Sequence, residues 1–491
     1  MENTGDAVGG GVTLRNDEYQ EEGIGLKKGD LSTKDLIVMV AGAQVPLGSV
    51  VAMVPIAIVF GAGIGTPIIL LITGIILLMF AVGWSRMSAH ITNAGAFYAY
   101  ISQSLGLPLG VAGAAIAVCA YNAAAIAAVS ILSVFAKQMV SNLLGIDLPW
   151  EIYAIISLII IGFFGSRNIN INARILTIAV TFEMVLIGIL VVSILWHDGF
   201  GVLKSASFNP KYILGPGAGV TMAIGVWVSL GFEAAAIYGE EAKNPRKTVS
   251  RATYLSILAV TILYVLSAWF IISGCTTVTS FGTQNPETMV FGLYAKYTDK
   301  LITDIVEVST VISILGACLA CHNLAARYLF ALGREGILPK TLGCVNTKTR
   351  APQHASFFQI FITVLLLALC AITGAAPYLV VGSGLVGISV IGIVGLMAVA
   401  DIGIFCFFRT QQHGDFMATG VMPVLSFIGL VLIIYEVIAN YKALSGYNSG
   451  PMLLVPLLVP LIGALGFIYA IRLQKTNPER YENMRKFLDR I

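Results

Sequence analysis

The sequence predicts an all-α membrane protein with twelve transmembrane helices, and three observations support this fold class. First, 57% of the 491 residues are hydrophobic and only 11% are charged, whereas roughly a quarter of the residues in a soluble domain are charged. Second, the apolar residues form twelve segments of spanning length. Third, two of these segments, five helices apart, are interrupted by proline or glycine, which indicates inverted repeats.

The apolar segments follow one another with short polar connections. They lie at about 35–60, 66–87, 105–136, 151–165, 173–196, 218–238, 251–274, 302–331, 354–374, 377–408, 421–440 and 451–473. We therefore expect one transmembrane domain over residues 35–473. It divides into two five-helix repeats at 35–196 and 218–408 and two appended helices within 421–473.

The two ends of the chain are predicted to be cytosolic tails. Residues 1–34 are polar, Gly-rich and acidic without an apolar h-region, so we expect a disordered tail and no signal peptide. Residues 474–491 are a short charged tail. Only six of the 29 Lys and Arg residues fall in loops opposite the termini, so the positive-inside rule places both termini in the cytoplasm. The outward loops lack N-x-Ser/Thr sequons, which favours a bacterial inner membrane.

The first apolar segment is predicted to break near its middle. Pro46 removes a backbone donor and clashes with the preceding turn, while Gly48 loosens the chain two residues later. A helix that breaks at mid-membrane exposes backbone groups to a ligand. We therefore predict that a binding site is lined by the residues around this break, namely Gln44, Val45, Pro46, Gly48 and Ser49.

The sixth segment is predicted to break as well, beside a buried acid. Glu233 lies in an apolar segment, where a carboxylate is costly and must face a protein interior or a wet cavity. Gly231 just before it tolerates backbone geometry that strains other residues. We predict that Leu230, Gly231, Phe232 and Glu233 line the same site. The alternative is that Glu233 only bridges the broken halves of the first and sixth helices.

The sixth segment and its exit resemble a known family. The run GFEAAA, then EEAKNPRK and Arg251-Ala252, resembles the sixth-helix signature of the amino acid/polyamine/organocation (APC) transporters. The runs AGAFYAY at 94–100 and RYLFALGREG at 327–336 are similar to the family's entry to the third helix and exit from the eighth. The resemblance covers nearly the whole chain and implies a LeuT-type fold, with spans one to five and six to ten as repeats.

The resemblance also implies roles for single residues. In the family, a Gly-Ser-Gly run in the first span holds the substrate carboxylate with its backbone amides. Here that run is Gly48-Ser49-Val50, and the lost third glycine leaves room for amines without an α-carboxylate. The resemblance directs Tyr121 of the third span towards the substrate, although a core tyrosine with a satisfied hydroxyl is the alternative. Trp227 matches an aromatic gate that stacks on substrate in some relatives.

Three residues are candidates for coupling transport to an ion: Glu233, Glu183 and His322. Some proton-coupled relatives carry a lysine about six residues before Glu183, but this chain has Thr177 there, so the lysine mechanism does not carry over. Glu183 must be paired or protonated in the membrane, and a structural hydrogen-bonding role is open. His322 ends a C-x-x-C-H run that begins at Cys318. We reject haem attachment because the run is buried mid-span, and retain a polar network or proton relay.

The remaining buried polar residues predict no metal site and no disulfides. The seven cysteines are odd in number and mostly lie in apolar runs, so no disulfide framework is expected. Cys318, Cys321 and His322 have no further ligands near them in sequence for a zinc ion. Asp401 lies a few turns before Arg409 near the end of the tenth span, and we expect it at the membrane interface.

These features predict a secondary active transporter, or permease, for amino acids or related small amines. We expect proton-coupled symport by alternating access, with no cofactor, while sodium coupling, a polyamine or organocation importer and an amino acid exchanger stay open. A channel needs a continuous polar lining, and a transporter-like sensor needs a signalling extension. No nucleophile–base pair predicts an enzyme, and scattered basic residues argue against nucleic acid. The expected partners are the lipid bilayer and a small solute, and both a monomer and a homodimer are open.

Overall fold

The computed structural model describes ten continuous ranges of the chain and a few single positions before the first break. The ranges are 13–15, 45–88, 90–91, 97–166, 173–233, 245–275, 285–346, 351–410, 415–447 and 451–489, and the single positions are 33, 37, 40, 42 and 44. Within these residues the chain is helical except for a two-stranded sheet and the connecting turns. The principal helices are α1 Pro46–Ala52, α2 Thr66–Ser88, α3 Phe97–Leu105, α4 Leu107–Leu144, α5 Trp150–Gly165, α6 Ala173–Asp198, α7 Ala218–Ser229, α8 Pro245–Gly274, α9 Met289–Tyr297, α10 Lys300–Arg334, α11 Gln353–Ile372, α12 Gly384–Thr410, α13 Met422–Ala439, α14 Tyr441–Ser445, α15 Leu458–Thr476 and α16 Pro478–Asp489.

The described helices fit a protein that crosses the membrane several times. Nine apolar stretches among them are long enough to span a bilayer, with the interrupted stretch Pro46–Ser88 counted as one. Trp150–Gly165 and Ala218–Ser229 are apolar but shorter. Large apolar side chains are exposed along outer helices, such as Phe361 and Leu365 on α11, which suits contact with lipid. The count of twelve spans and the inverted repeat stay predictions.

The core is built around the long helix α4. It begins with a proline in its first turn and ends at Gly145, whose φ of 70° closes the helix in the left-handed conformation. Its most apolar stretch is 78% buried. Helices α4, α5, α10 and α11 all pack on one another, and α2, α7 and α8 form a second packed group. The two predicted breaks lie where these groups meet.

The first break occurs at Val45, one residue before the proline that predicted it. Val45 has φ 41° and ψ 71°, a left-handed conformation that is rare for a β-branched residue. Proline disfavours helical geometry in the preceding residue and is well suited to the first turn of a helix, so α1 begins at Pro46. Gly48 does not loosen the chain as we expected. It is helical, and a side chain there would meet Ile314 Cγ1 at 2.9 Å, so glycine allows close packing of α1 on α10.

The second break follows α7 as predicted. The helix ends at Ser229, and Leu230 then takes an extended conformation with φ −57° and ψ 150°. Gly231 has φ 105°, a backbone conformation that glycine adopts without strain. Phe232 and Glu233 lie in the turn that follows. The predicted unwound segment Leu230–Glu233 is therefore non-helical, and the GFEAAA run continues into residues outside the described part.

Described residues near both ends of the chain lie at the same end of α10. Residues Thr13–Arg15 form strand β1, which pairs antiparallel with strand β2, Cys344–Asn346, just after α10. These three residues differ from the disorder expected across 1–34. In the C-terminal tail, α16 is a helix, and its Arg480 guanidinium donates a hydrogen bond to the Gly336 carbonyl. We call this end of α10 the tail side.

Asp401 lies in the protein interior, which corrects the expectation of an interfacial position. Its side chain is 1% exposed, and it faces Ser426 where α12 packs on α13. The Ser426 hydroxyl is the polar group nearest to this carboxyl that the structure identifies. Spacing from Arg409 along the helix placed Asp401 near the membrane surface but did not reveal that α13 covers it.

Candidate functional site

Glu233 is at the centre of the candidate site and is almost completely buried, at 1% exposure. Its Oε1 accepts a hydrogen bond of 3.0 Å from the Tyr121 hydroxyl of α4. Its Oε2 accepts one of 2.9 Å from the Gly231 amide, which the break has freed from helical pairing. Two of the predicted site residues, Tyr121 and Glu233, therefore meet at the second break. A carboxylate with two donors still has lone pairs for a third, so it can accept from a cationic solute.

Gln44 joins the two breaks. Its side-chain amide donates to the Ser229 carbonyl at the end of α7, at 3.0 Å. Its own backbone carbonyl, next to the break, accepts from the Ser49 hydroxyl and the Tyr264 hydroxyl, each at 3.1 Å. The Gln44 side-chain oxygen is buried and accepts no hydrogen bond from the described residues. Buried acceptors seldom lack a donor, so this oxygen is a second candidate for binding a solute donor.

The amides freed by the first break already have partners. The Leu47 amide donates to Glu183 Oε2 at 2.9 Å, and the Gly48 amide donates to the Ser313 hydroxyl at 3.1 Å. The Ser49 amide donates to the Val45 carbonyl at 3.0 Å. The predicted cradle for a substrate carboxylate is thus filled by the protein's own groups in this arrangement. Glu183, from α6, is half-buried and ties that helix to α1.

Helix α10 supplies residues that the sequence analysis missed. The ring of Tyr328 stacks on Tyr121 with centroids 5.0 Å apart and an angle of 19°. Cys321 lies close enough to Glu233 to interact with it electrostatically. Ser313, Cys321 and Tyr328 are eight and seven residues apart, a spacing that brings side chains to one face of a helix. The sequence therefore shows that these three residues share one face of α10, and the structure shows that this face is turned towards the site.

The aromatic residues predicted around the second break have different surroundings. Phe232 is fully buried and meets Phe80 edge-to-face at 6.2 Å, so it packs in an aromatic core formed with α2. Trp227 and Leu230 are partly exposed, and the Trp227 carbonyl accepts from the Leu230 amide at 3.2 Å. Pro46 is buried at the start of α1. Among the aromatic residues at this break, Trp227 is therefore better placed than Phe232 to reach a solute.

His322 belongs to a separate polar network. One ring nitrogen, Nδ1, bonds to the Gln359 side-chain oxygen, and Nε2 bonds to the Ser356 hydroxyl at 2.8 Å. Gln359 in turn donates to Thr363 at 2.9 Å. This network connects α10 to α11, whereas Glu233 and Glu183 lie at the breaks. The described residues contain no group of three or more His, Cys, Asp or Glu suited to a metal ion.

The centre of the candidate site offers acceptor atoms in a closed interior. Its central side chains Glu233, Tyr121 and Gln44 are 1%, 2% and 3% exposed, so water reaches them poorly. The unused acceptor capacity belongs to a carboxylate and an amide oxygen. Low solvent access strengthens the attraction between this carboxylate and a positive charge.

Comparison with known proteins identifies the family. A family model described as amino acid permease matches residues 31–481. The branched-chain amino acid permease BcaP of Bacillus subtilis is 26% identical, over 72% of this chain and 78% of its own length. BcaP of Lactococcus lactis is 24% identical, over 85% of this chain and 91% of its own. The low-affinity putrescine importer PlaP of Escherichia coli is 21% identical, over 57% and 61%. These matches confirm the resemblance to APC transporters, which are transport proteins and not enzymes. The chain belongs to the amino acid permease family.

Proposed function

We propose that this permease carries a small amine-bearing solute across the cell membrane by proton-coupled symport and alternating access. The observation that carries the proposal is Glu233, a buried carboxylate at the break after α7 that accepts hydrogen bonds from Tyr121 and Gly231. Intramembrane acids mark substrate and ion pathways. A break beside such an acid, at the meeting point of two packed helix groups, suits a site that is exposed alternately to each side.

The ammonium group of the solute binds Glu233 directly in this proposal. The Gln44 side-chain oxygen supplies a second acceptor near the same break, and Tyr121 orients the carboxylate. Hydrogen bonds in which both partners are charged are the strongest available in such a site. Trp227, partly exposed on the last turn of α7, closes over the apolar part of the solute.

The first break bears on which amine is carried. A substrate carboxylate would need amides that now donate to Glu183, Ser313 and the Val45 carbonyl. A solute without a carboxylate needs no such rearrangement. This observation favours a second candidate within the family, a diamine or related organocation as in the putrescine importer PlaP. A branched-chain amino acid, as carried by BcaP, is the candidate that instead requires the cradle to open.

The coupling ion is proposed to be the proton. Glu233 and Glu183 are the acids at the two breaks, and His322 offers a titratable ring on α10. Exchange of one solute for another needs no proton, and sodium coupling needs oxygen ligands, such as the Ser313 hydroxyl beside α1. These two alternatives make different predictions for an imposed pH gradient, which the experiment below uses.

The finer features of the fold are part of the same proposal. We infer twelve spans with spans one to five and six to ten as inverted repeats, and a tail side that faces the cytoplasm of a bacterial cell. The excess of Lys and Arg on the side of the termini supports this orientation, and β1 and α16 meet at one end of α10. No cofactor takes part, and both a monomer and a homodimer are compatible with the proposal.

Transport into liposomes that contain the purified protein tests this function. Putrescine, ethanolamine, leucine and lysine compete for uptake, first with an inside-alkaline pH gradient and then without it. We expect the gradient to accelerate uptake of an amine and a carboxylate-free amine to compete best. Uptake that requires solute inside the liposomes and does not respond to the pH gradient would indicate exchange instead of symport. Dependence on sodium alone would contradict proton coupling, and a steady ion current without solute would favour a channel.

A further inference from the structure

Two free thiols lie about one turn apart near the middle of α10. Cys318 and Cys321 are separated by Leu319 and Ala320, and residues three apart on a helix have Cβ atoms about 5–6 Å from each other. The two thiols are also close enough to interact electrostatically. Rotation about each Cα–Cβ bond can therefore bring both sulfur atoms onto one atom placed between them.

This part of α10 lies against both broken helices. Two residues before the first thiol, a side chain added at Gly316 would meet Val45 Cγ1 at 3.4 Å, so the helix packs on the first break. Cys321 lies close enough to Glu233 and Tyr121 to interact with both electrostatically. The pair of thiols is therefore next to the acceptors that are proposed to bind the solute.

His322, the residue after the second thiol, is engaged elsewhere. Its two ring nitrogens bond to the Gln359 side-chain oxygen and the Ser356 hydroxyl. A zinc site has three or four protein ligands, and within the described part of the chain no group of three or more His, Cys, Asp or Glu is suited to a metal ion. Thiols prefer soft partners. Two converging thiols alone suit a soft centre with two replaceable bonds, which a trivalent organoarsenical provides.

The two thiols differ in exposure, which sets the order in which they react. Cys318 is 1% exposed, whereas Cys321 is partly exposed. An arylarsenoxide, R–As=O, therefore adds to Cys321 first: an As–S bond forms, and the thiol proton moves to the oxygen. Cys318 then displaces the resulting hydroxyl group, so a second As–S bond forms and water leaves with the second thiol proton. The arsenic stays trivalent, and no electrons are transferred.

We propose that Cys318 and Cys321 form a dithiol site for trivalent organoarsenicals, and that a reagent bound there blocks access of the solute to Glu233. The bound arsenic lies beside the Glu233–Tyr121 pair, and its organic group competes with the solute for the same interior. The binding follows from the two thiols alone, whereas the block rests on the proposed transport function.

Phenylarsine oxide tests the site in the full-length protein reconstituted in liposomes. Adducts are located by peptide mass spectrometry, and uptake of putrescine, ethanolamine, leucine and lysine is measured before and after treatment. Cys318→Ser and Cys321→Ser each remove one thiol of the pair. Cys406→Ser, on α12, is the matched control because it removes one partly exposed free thiol and leaves the pair intact. The bound reagent is then removed with a small dithiol, dimercaptopropanol.

We expect one phenylarsenic group bound to both thiols in the wild type and in Cys406→Ser. Cys318→Ser and Cys321→Ser should each hold the reagent about a hundredfold more weakly, because the second, intramolecular As–S bond is lost. The treated wild type should lose most of its uptake and regain it with the dithiol but not with the same concentration of a monothiol. An excess of the transported solute should slow formation of the adduct.

The outcomes separate the dithiol site from the block and from the proposed transport. No adduct on the pair, or an adduct that either single variant retains as firmly as the wild type, would overturn the dithiol site. Mapping of the wild type decides this point even where a variant fails to fold. An adduct on the pair with normal uptake would overturn the block. An adduct on the pair in a protein that takes up none of the four solutes would leave the dithiol site standing and overturn the proposed transport.

Discussion

Replacing Glu233 by glutamine is the sharpest test of the site because the change removes charge and hardly alters shape. The glutamine side chain keeps one acceptor oxygen, which can take the 2.9 Å hydrogen bond from the Gly231 amide. Its NH₂ group then faces the Tyr121 hydroxyl, which can rotate to accept a hydrogen bond in place of donating one. We therefore expect Glu233→Gln to fold and to keep the break after α7.

The loss of binding follows from the kind of hydrogen bond that disappears. A hydrogen bond to a charged group contributes about 1.5–3 kcal/mol. If the solute ammonium pairs with Glu233, the loss of this hydrogen bond should weaken solute binding by about ten- to a hundredfold, because each 1.4 kcal/mol is a factor of ten in the dissociation constant. An ammonium group and a proton cannot occupy one carboxylate together. If Glu233 instead acts as the protonation switch, the amide cannot release a proton, and acceleration by an inside-alkaline gradient should disappear.

Two measurements separate these effects. Solute affinity is measured by competition without a gradient, and initial uptake is measured with the gradient imposed. Tyr121→Phe is the matched control, because it removes one donor to Glu233 and leaves the carboxylate in place. It should weaken binding less than Glu233→Gln and keep the response to the gradient. Unchanged affinity together with an unchanged response in Glu233→Gln would show that Glu233 only bridges the broken helices.

Three further predictions concern single residues elsewhere in the fold. Gly231→Ala places a side chain at φ 105°, so we expect a loss of roughly 1–2 kcal/mol of stability. The loss is measured as a lower melting midpoint. An unchanged midpoint would show that the break does not need a glycine. Asp401 is buried beside Ser426, where a neutral amide of the same shape should fit well, so Asp401→Asn should melt within about 3 °C of wild type; a far larger drop would indicate a charged partner. Burial raises the pKa of Glu335, just beyond the end of α10, from 4.5 to about 7, against the opposing effects of Tyr98 and Arg334. The folded state therefore binds this proton more tightly than the unfolded state, and stability falls as pH rises from 4.5 to 7. Glu335→Gln should be more stable than wild type above pH 7, by about 3 kcal/mol at most, and equal to it below pH 4.5; the opposite trend would show that the carboxylate is stabilised in the fold.

The sequence predicted the two breaks well because each has a local cause. Proline acts on the residue before it, and the left-handed Val45 precedes Pro46. A glycine beside an intramembrane acid marked the second break, where Gly231 and Glu233 bond to each other. Such signals need no knowledge of the packed structure. The prediction for Gly48 was wrong because its role depends on another helix: the glycine allows close contact with Ile314 of α10.

The residues that were missed or misplaced depend on packing between helices. The sequence contains the spacing of Cys321 and Tyr328, but only the position of α10 against α4 turns that face towards Tyr121. Asp401 seemed interfacial until α13 was found to cover it. The pairing of residues 13–15 with β2 was equally invisible, because a three-residue strand in a polar tail has no periodic signal.

The two breaks share a feature that separates the possible roles of Glu183 and Glu233. At each break a freed amide donates to a glutamate at 2.9 Å, Leu47 to Glu183 and Gly231 to Glu233. The Glu183 carboxylate comes from a different helix, so it ties α6 to α1. A structural tie needs only an acceptor oxygen, whereas a coupling acid must gain and lose a proton.

Glu183→Gln and Glu183→Leu separate these roles because glutamine keeps the acceptor and leucine removes it. If Glu183 is a tie, glutamine should preserve gradient-driven uptake, while leucine leaves the Leu47 amide without its partner and costs about 1–3 kcal/mol of stability. If Glu183 carries the coupling proton, both variants should lose the response to the gradient and Glu183→Gln should still melt like wild type. We expect the first pattern, because Glu183 also lies beside Ser313, the residue that holds the next freed amide, Gly48. Loss of the gradient response in a stable Glu183→Gln would place the coupling role at the first break.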